Sequence, residues 1–582
     1  MTNTSSKISK KSSEVWSVAD TLRGPFKEHQ YQQVMLPFIV IRRLETVIEG
    51  SGTKDNVLQA IIDLDGDLTG TNLHEYLKTV SGFEFYCTTN YNFSKLLTEP
   101  DNLKENLLKY VNSYSDSVIS IMDSLKFKDT VEQLASLGLL FRVVQDFSAM
   151  DLSVLSETNP NGLSNHEMGY LFEELLSKFS DMSNADAGDH YTPRSVVRLC
   201  AELAIGSDLN LNDNSAVKSI YDPTAGTGGM LTVGEEVIKE KYPEIKVELY
   251  GQEFNPESYA ISKADLLIKG YDSEGIRFGD TLSNDRFPNN KFDYILANPP
   301  YGVDWKSSKE KVLKEHDELK FRGRFGAGLP TISDGSLLFL QHMISKMSPE
   351  GAKIAIVLNG SPLTNGDAGS GESNIRKWIL DSDLLSAIIS LPTDMFYNTG
   401  IKTYIWVLDN NKIDARKGKV QFINASERFY KLKKSLGKKK NDMSQADIDF
   451  VKKLYTDFDS NDSNFSKILG LEDLMFYKVI VDSPLVDETG KVTMDGKGKI
   501  VIDTSKRDSE KIPFRENIAE YMAHEVLPNN PDAIWGDGKI GAEFPLDQYF
   551  YIYEPLPSTE SIKAELVQSV ARIQSLMKDI FE

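Results

Sequence analysis

Apolar residues recur every three or four positions in the first part of the chain, as at Trp16, Ala19 and Leu22. Such a period lets one face of each helix be buried against its neighbours. The pattern extends over residues 14–182 and predicts an all-helical N-terminal domain. Residues 1–13 are polar and lack the pattern, so they are predicted to form a flexible lead-in.

Over residues 183–424, short β-rich runs alternate with helical segments. The runs include SIYD, KVELYGQE, IRFGD, FDYILANPP, KIAIVLN, LLSAIISLP and KTYIWVLDN. This alternation predicts a mostly parallel sheet covered by helices on both faces. Asn255 and Pro256 are a suitable N-cap and first turn for a helix that Gly270 ends, which places Glu253 at the end of a strand.

The C-terminal part of the chain shows two further patterns. Residues 425–557 are interpreted as a mixed extension of the α/β domain, with a basic run KLKKSLGKKK and a hairpin-like turn in VDETGKVTMDGKGKIVID. Residues 558–582 begin with Ser558 as an N-cap and predict a coiled-coil-like helix. Its apolar seam is Ile562, Leu566, Val570, Ile573, Met577 and Ile580. The seam either docks on its own chain or pairs with a helix of another subunit.

Length and charge add two constraints. A single core rarely grows beyond about 250 to 300 residues, so a chain of 582 residues predicts two or more domains. The chain carries 65 Lys and Arg against 86 Asp and Glu, a net charge of −21. Because such a surface repels phosphates on average, binding of nucleic acid requires local basic groups or a partner.

Other residue types narrow the class of protein. Cys87 and Cys200 are too few for a disulfide framework or a thiolate metal cage, which fits a reducing cytosol. The seven histidines form no HExxH motif, so no metal site is predicted. The longest apolar run, residues 34–41, is too short for a membrane span, and the polar N-terminus lacks a secretory signal. We therefore expect a cytoplasmic protein without a membrane partner.

The segment SIYDPTAGTGGM places Asp222 at the end of a strand, with Gly226, Gly228 and Gly229 in the turn that opens the next helix. Glycines there let the backbone pass close to a ligand at the carboxyl edge of the sheet. The spacing resembles a dinucleotide fingerprint only loosely, and it lacks the Lys and hydroxyl pair of a phosphate-binding loop. Taken alone, the loop is also consistent with a purely structural turn.

Two carboxylates after later strands indicate which ligand the loop binds. Glu253 is placed to accept hydrogen bonds from ribose hydroxyls, and Asp280 to accept from an adenine amine. No arginine next to Glu253 is offered to a phosphate, and these carboxylates repel a pyrophosphate. S-adenosyl-L-methionine, which is cationic and has no phosphate, fits best. The alternative is that both carboxylates are ordinary solvated strand ends.

The most specific signal is the tetrapeptide Asn298, Pro299, Pro300 and Tyr301, which ends the strand FDYILA. Two prolines contribute no N–H, so this must be the exit of the strand. A planar exocyclic amine needs two acceptors for its N–H groups, and the Asn298 side chain and the Pro299 carbonyl supply them. Tyr301 supplies a ring on which a base stacks. A purely structural strand exit is the alternative.

The order of these motifs, DPTAGTGG, Glu253, Asp280 and NPPY, resembles that of N6-adenine methyltransferases. Together with VWSVADTLRG, MGYLFEELL, HYTPRSVV and KIGAEFPLDQYFYIYEP, it resembles the modification subunit of a type I restriction-modification system. The resemblance implies a Rossmann-like, S-adenosylmethionine-dependent methyltransferase sheet, preceded by an all-helical domain and followed by a C-terminal tail helix. It implies methyl transfer to the N6 amine of a flipped adenine in duplex DNA.

The resemblance also implies roles for individual residues. Asp189, His190, Tyr191, Thr192, Pro193 and Arg194 would line the methionine end of the cofactor; Thr224, Ala225 and Gly226 its middle; and Glu253 its ribose. Phe396 would be a second aromatic wall for the target base. The family often has Phe at the position of Tyr301, a change that keeps the ring.

The same resemblance implies partners. Sequence choice would come from a separate specificity subunit, with two copies of this chain clasping duplex DNA and a restriction subunit joining for cleavage. A basic loop is interpreted as a phosphate contact or a solvated loop: Lys306, Lys309, Lys311, Lys314, Lys320, Arg322 and Arg324. For residues 431–440 the solvated interpretation is favoured. Alternatives for the whole protein are methylation of RNA or of a protein glutamine, or a non-catalytic bridging scaffold.

Overall fold

The computed structural model describes residues 2–64, 69–156, 159–182, 192–209, 211, 217–459, 464–488, 491–551 and 558–581. Residue contacts divide the chain into two compact units, residues 1–544 and 545–582. Within the described ranges, no helix combines the length and the apolar character needed to cross a membrane.

The N-terminal part of the first unit is helical, as predicted. Its helices are α1 (Thr2–Trp16), α2 (Val18–Leu22), α3 (Tyr31–Gly50), α4 (Thr53–Leu64), α5 (Gly70–Ser81), α6 (Phe93–Leu96), α7 (Leu103–Val111), α8 (Asp116–Ser124), α9 (Phe127–Ser136), α10 (Leu140–Ser148) and α11 (Asn165–Met182). Helix α3 is buried along most of its length and lies at the centre of the core. There Phe38 packs against Phe93, Phe127 and Phe147 with ring centroids 5.2 to 6.2 Å apart.

The prediction of a flexible lead-in over residues 1–13 is wrong, because α1 begins at Thr2. Helix α1 is attached to α11 by polar contacts that cannot be inferred from its own sequence. Lys7 forms an ion pair with Glu167 at 3.1 Å, and the buried Ser12 hydroxyl donates to Glu174 at 2.8 Å. Partners supplied by a distant helix therefore order a segment whose own composition is typical of a loop.

The centre of the first unit is a nine-stranded sheet. Its strands are β1 (Val217–Asp222), β2 (Lys246–Glu253), β3 (Ile276–Phe278), β4 (Tyr294–Ala297), β5 (Lys353–Asn359), β6 (Leu385–Ser390), β7 (Thr403–Asp409), β8 (Lys419–Asn424) and β11 (Ser466–Gly470). They lie in the order β11-β8-β6-β7-β5-β4-β1-β2-β3. Strands β3, β2, β1, β4 and β5 are parallel, whereas β7 runs antiparallel to β5 and β6.

Both faces of the sheet are covered around β6 and β7. Every residue of β6 and of β7 is buried, and because successive side chains of a strand point to opposite faces, neither face of these strands meets solvent. The helices of this region are α12 (Arg194–Ala201), α13 (Gly229–Lys241), α14 (Pro256–Ile268), α15 (Lys309–Leu319), α16 (Ser336–Ser345), α17 (Ser361–Thr364) and α18 (Gly371–Asp381). The predicted α/β architecture is confirmed.

The region after β8 extends this sheet and adds smaller elements. Strand β11 pairs antiparallel with β8 and so joins the region to the main sheet. The further elements are β9 (Tyr430–Leu436), β10 (Lys439–Asp442), α19 (Gln445–Asp457), β12 (Met475–Asp482), β13 (Asp508–Pro513), α20 (Ile518–Tyr521), β14 (Ile534–Trp535) and β15 (Lys539–Ala542). The predicted hairpin-like turn contains the antiparallel bridges Val486 to Val492 and Met494 to Ile500.

The second unit contains two described helices, α21 (Leu546–Tyr549) and α22 (Thr559–Phe581). Helix α22 matches the predicted C-terminal helix. Five residues of its apolar seam are 45 to 59% exposed: Ile562, Leu566, Val570, Ile573 and Met577. The side chain of Ile580 lies outside the described residues.

The Phe38 cluster allows a stability prediction. Replacement of Phe38 by Ala should lower the free energy of unfolding of the helical region by about 3 to 5 kcal/mol, since it leaves a cavity among three aromatic rings. Phe141→Ala, which truncates a phenylalanine that is 42% exposed on α10, should cost much less. Urea unfolding followed by circular dichroism measures both, and an equal loss for the two variants would contradict the assignment of Phe38 to the core.

Candidate active site

A cavity of about 640 Å³ opens where the parallel strands end. Asp222 is the last residue of β1 and Glu253 the last of β2, while Asn298 directly follows β4. Because the carboxyl ends of parallel strands meet at one edge of a sheet, residues far apart in sequence converge there. A cavity of this volume is typical of sites for small molecules.

The structure brings most of the predicted site residues together in the lining of this cavity: Thr192, Arg194, Asp222, Thr224, Ala225, Gly226, Glu253, Asp280, Asn298, Pro299, Pro300, Tyr301 and Phe396. Pro193 and Gly228 are described but are not part of the lining. Asp189, His190 and Tyr191 lie outside the described residues.

The glycine loop is shaped by left-handed backbone. Gly226 has φ of 52° and Gly228 has φ of 87°, conformations that residues with a side chain rarely adopt. A Cβ atom at Gly228 would lie 2.8 Å from the Ser262 hydroxyl. The loop is also anchored to β2, since the Ala225 N–H donates to the Gln252 carbonyl at 3.0 Å. Gly228 therefore lies on the side of the loop that packs against Ser262, not on the side that faces the cavity.

Glu253 holds three backbone N–H groups. Its carboxylate accepts from Gly226 at 2.8 Å, from Phe254 at 2.8 Å and from Asn255 at 2.7 Å. One side chain thus fixes the glycine loop to the end of β2 and turns the chain that follows. Phe254, which is 70% exposed, is left at the edge of the cavity.

Asp222 is buried beneath the loop. Burial raises the pKa of its carboxyl group to about 8; the Thr224 N–H opposes the shift, and the nearby Glu253 charge adds to it. Thr224 donates to this carboxyl at 2.9 Å. Since the raised pKa lies above neutrality, Asp222 is mostly protonated at pH 7 and adds little negative charge to the cavity.

Asp280 connects two segments of the cavity wall. Its carboxylate accepts from the Leu282 N–H at 3.0 Å, from the Ser283 hydroxyl at 2.6 Å and from the Ser308 hydroxyl. Ser308 belongs to the segment that follows the NPPY tetrapeptide. The segments after β3 and after β4 are thereby joined through one carboxylate.

The side-chain amide of Asn298 is held at both ends. Its Nδ2 donates to the Thr192 hydroxyl at 2.9 Å, and its Oδ1 accepts from the Tyr301 hydroxyl. Burial keeps the pKa of the Tyr301 phenol well above its usual value, so it remains a donor. The Tyr301 and Phe396 rings meet edge to face, with centroids 5.8 Å apart and planes at 87°.

Arg194 connects the helical region to the α/β sheet. Its guanidinium pairs with Glu173 of α11 and, at 2.7 Å, with Glu236 of α13, and it stacks on Tyr170 at 4.2 Å. Glu173 itself lines the cavity, so the helical region contributes a carboxylate to the site.

Several lining residues were not predicted, among them Glu173, Phe254, Trp305, Ser308, Asn398 and Thr399. Phe254 had a usable signal, because it directly follows Glu253, which the sequence already placed at the carboxyl edge of the sheet where ligands bind. Glu173 lies in the segment MGYLFEELL, where nothing in the local pattern separates a residue that faces the cavity from one that faces solvent. In the described part of the chain, no group of three His, Cys, Asp or Glu residues is arranged to hold a metal ion.

Comparison with known proteins identifies the family. The sequence model described as N-6 DNA Methylase matches residues 163–478, more than half of the chain. The chain belongs to the N-6 DNA methylase family. A second model, described as the HsdM N-terminal domain, matches residues 11–147 of this methylase. The predicted resemblance to modification subunits of type I systems, and with it the prediction of an adenine-specific DNA methyltransferase, is confirmed.

Individual relatives agree with this assignment. The methylase is 25% identical over 521 residues to the type I restriction enzyme MjaIX methylase subunit of Methanocaldococcus jannaschii, covering 87% of this chain and 86% of the relative. It is 32% identical over 266 residues to the HindI methylase subunit of Haemophilus influenzae, covering 45% and 55% of the two chains.

Solved structures show the same fold. The methyltransferase subunit of a type I system from Streptococcus thermophilus superposes with a TM-score of 0.62 at 22% identity, covering 80% of this chain and 96% of the other. A modification subunit of a putative type I restriction enzyme from Vibrio vulnificus gives a TM-score of 0.52 at 16% identity and covers 89% and 98%.

The raised pKa of Asp222 predicts a pH dependence of stability. An unfolded aspartate has a pKa near 3.8, so between about pH 4 and pH 8 the folded state binds the extra proton and stability falls as the pH rises. Asp222→Asn removes this cost. The free energy of unfolding of the variant relative to the wild type should therefore be larger at pH 8 than at pH 5. Denaturant unfolding at both pH values measures the difference. The control is Asp537→Asn, at an exposed aspartate. A gain of the same size in this variant would contradict the assignment of a buried proton to Asp222.

Proposed function

We propose that this methylase transfers the methyl group of S-adenosyl-L-methionine to the N6 amine of an adenine extruded from duplex DNA. The supporting observation is that the oriented Asn298 amide lies in the same cavity as the glycine loop and Glu253. A site for an adenosyl ligand and a pair of acceptors for a planar amine are thus adjacent. The family assignment supplies the class of substrate.

The residues present fit this cofactor. Glu253 would hold the ribose, Thr224, Ala225 and Gly226 the middle of the ligand, and Thr192 and Arg194 the methionine end. Asp189, His190, Tyr191 and Pro193 are also proposed for that end. Carboxyl groups outnumber basic groups in the described lining, which suits a cation without phosphate. They are Glu173, Asp222, Glu253, Asp280 and Asp304, against Arg194. When bound, the cofactor supplies an electrophilic methyl group on a sulfonium.

The chain's own residues would orient the amine. The Pro299 carbonyl and the remaining lone pair of Asn298 Oδ1 accept its two N–H groups, which aims the nitrogen lone pair at the methyl group. Thr192 and Tyr301 prevent rotation of the Asn298 amide. A base that enters would stack on one ring of the Tyr301 and Phe396 pair and meet the edge of the other. No strong base is required, since the product proton leaves to water.

Partners follow from the same proposal. Extrusion of a base from a duplex costs a few kcal/mol and has to be offset by contacts to DNA. We propose that a separate specificity subunit chooses the sequence, that two copies of this chain clasp the duplex, and that a restriction subunit joins for cleavage. The support is that relatives are named type I restriction enzyme methylase subunits and that the chain carries a net charge of −21. The exposed seam of α22 is proposed to dock on a helix of the specificity subunit.

Substitution of the catalytic amide tests the reaction. Asn298→Ala should reduce methyl transfer to DNA at least about 100-fold, because one acceptor for the amine is lost. Binding of S-adenosylmethionine, measured by calorimetry, should stay within a few-fold of the wild type. Asn289→Ala, at an exposed turn, is the matched control and should keep full activity. Undiminished transfer by the Asn298 variant would disprove the role of the tetrapeptide.

A pair of matched double variants tests the docking of α22. Leu566→Glu with Val570→Glu places two charges in the apolar seam and should weaken co-purification with the specificity subunit at least about tenfold. Gln568→Glu with Ser575→Glu adds the same charge to the opposite side of the helix and should have little effect. Equal retention of both variants would show that the seam does not dock there.

A further inference from the structure

Strands β9 and β10 form a two-stranded hairpin over residues 430–442, here called the lysine ribbon. It contains six lysines and one aspartate. Lys439 is turned inward to Asp442 at 2.9 Å, and Lys440 lies 3.6 Å from Asp394. The other four are exposed, and no ion pair to them is found among the described residues: Lys431, Lys433, Lys434 and Lys438.

The lysine ribbon is fixed to the wall of the active-site cavity. The Lys438 N–H donates to the Tyr397 carbonyl at 2.8 Å, the Lys440 N–H donates to the Asp394 carbonyl at 2.9 Å, and Asn441 Nδ2 donates to the Thr393 carbonyl at 2.9 Å. These acceptors belong to the loop after β6, which carries Phe396 into the cavity.

A glycine allows this close approach. Gly437 has φ of 58°, and a Cβ atom there would lie 2.6 Å from the Tyr397 carbonyl oxygen. The backbone of the ribbon therefore packs directly against the loop that holds Phe396, so the position of the ribbon follows the position of that loop. A positively charged element is in this way built onto the rim where a base would enter.

The other basic segment near the cavity is less suited to bind phosphates. In α15, three lysines are accompanied by four carboxylates: Glu310, Glu315, Asp317 and Glu318. Arg324 is turned inward, where it pairs with Glu315 at 2.6 Å and donates to the Thr281 and Leu282 carbonyls at 2.7 and 2.9 Å. Lys306 pairs with Asp304 at 3.1 Å. The lysine ribbon therefore has the larger unbalanced positive charge.

We propose that the lysine ribbon binds the phosphate backbone of DNA beside the extruded base. The proposal rests on the proposed function, because extrusion into this cavity draws the flanking phosphates across its rim. In a chain of net charge −21, most of the surface repels a polyanion, so the strand follows the local positive path. Exposed lysines on both sides of β9 can neutralise successive phosphates without reading the sequence.

A triple substitution of the full-length chain tests the ribbon. Lys431, Lys433 and Lys434 are replaced together by Gln, and binding to a fluorescein-labelled DNA duplex of about 30 base pairs is followed by anisotropy between 50 and 200 mM NaCl. Each phosphate contact adds about 0.9 to the slope of log K against log salt. We expect at least about tenfold weaker binding at the lower salt and a slope smaller by about 2 to 3.

The matched control changes the same charge elsewhere. Lys491, Lys497 and Lys499 are exposed on the hairpin that contains the Val486–Val492 bridge, and their replacement by Gln should alter affinity less than about twofold. Equal loss in both triple variants, or no loss in the ribbon variant, would overturn the proposal. The proposal would also be overturned if the wild-type chain bound no DNA duplex. The same holds if the ribbon variant lost affinity only for an RNA duplex of the same sequence, measured in the same way. If the wild type binds DNA through the ribbon but transfers no methyl group even when its specificity subunit is present, the proposed function fails instead.

Discussion

The amide of Asn298 is restrained before any substrate arrives, and the proposed chemistry depends on this restraint. Its nitrogen is held by Thr192 and its oxygen by Tyr301, so rotation of the amide breaks two hydrogen bonds. An acceptor that is already oriented costs no reorganisation when the reacting amine is bound. The restraint needs a fold that brings the start of α12 to the end of β4, which explains why the sheet and the segment before α12 form one site.

The carboxyl groups of the cavity, like the Asn298 amide, have their partners or their proton in place before a ligand binds. Glu253 and Asp280 each accept three hydrogen bonds from N–H or O–H groups, whereas Asp222 is buried and keeps its proton near neutrality. The first two charges are stabilised by backbone and hydroxyl dipoles rather than by basic side chains, and the third is largely removed. An acidic protein can therefore place three carboxyl groups at one edge of a sheet. The positive charge near this edge is concentrated in the lysine ribbon.

Much of the fold was accessible from local pattern. The β-rich runs correspond to β1 to β7, and the N-cap Asn255 begins α14 as predicted. The antiparallel direction of β7 and the joining of β11 to the main sheet were not predicted, because pairing depends on which strands meet in space. The domain boundaries, including the division after residue 182, stay predictions. Residues 1–13 show where local pattern fails. Their polar sequence predicted a flexible segment, whereas contacts with α11 order residues 2–13 as part of α1.

The sequence by itself determined the class of fold, the strand ends that are proposed to carry the chemistry and the position of the tetrapeptide, because periodicity, glycine turns and paired prolines act over a few neighbouring residues. The tertiary structure decided which groups meet. It placed Thr192 and the Tyr301 hydroxyl on the Asn298 amide, brought Glu173 from a helix into the cavity, and turned Arg324 inward while leaving four lysines of the ribbon exposed. Hydrogen bonds and ion pairs between distant residues depend on distances that only the packed chain sets.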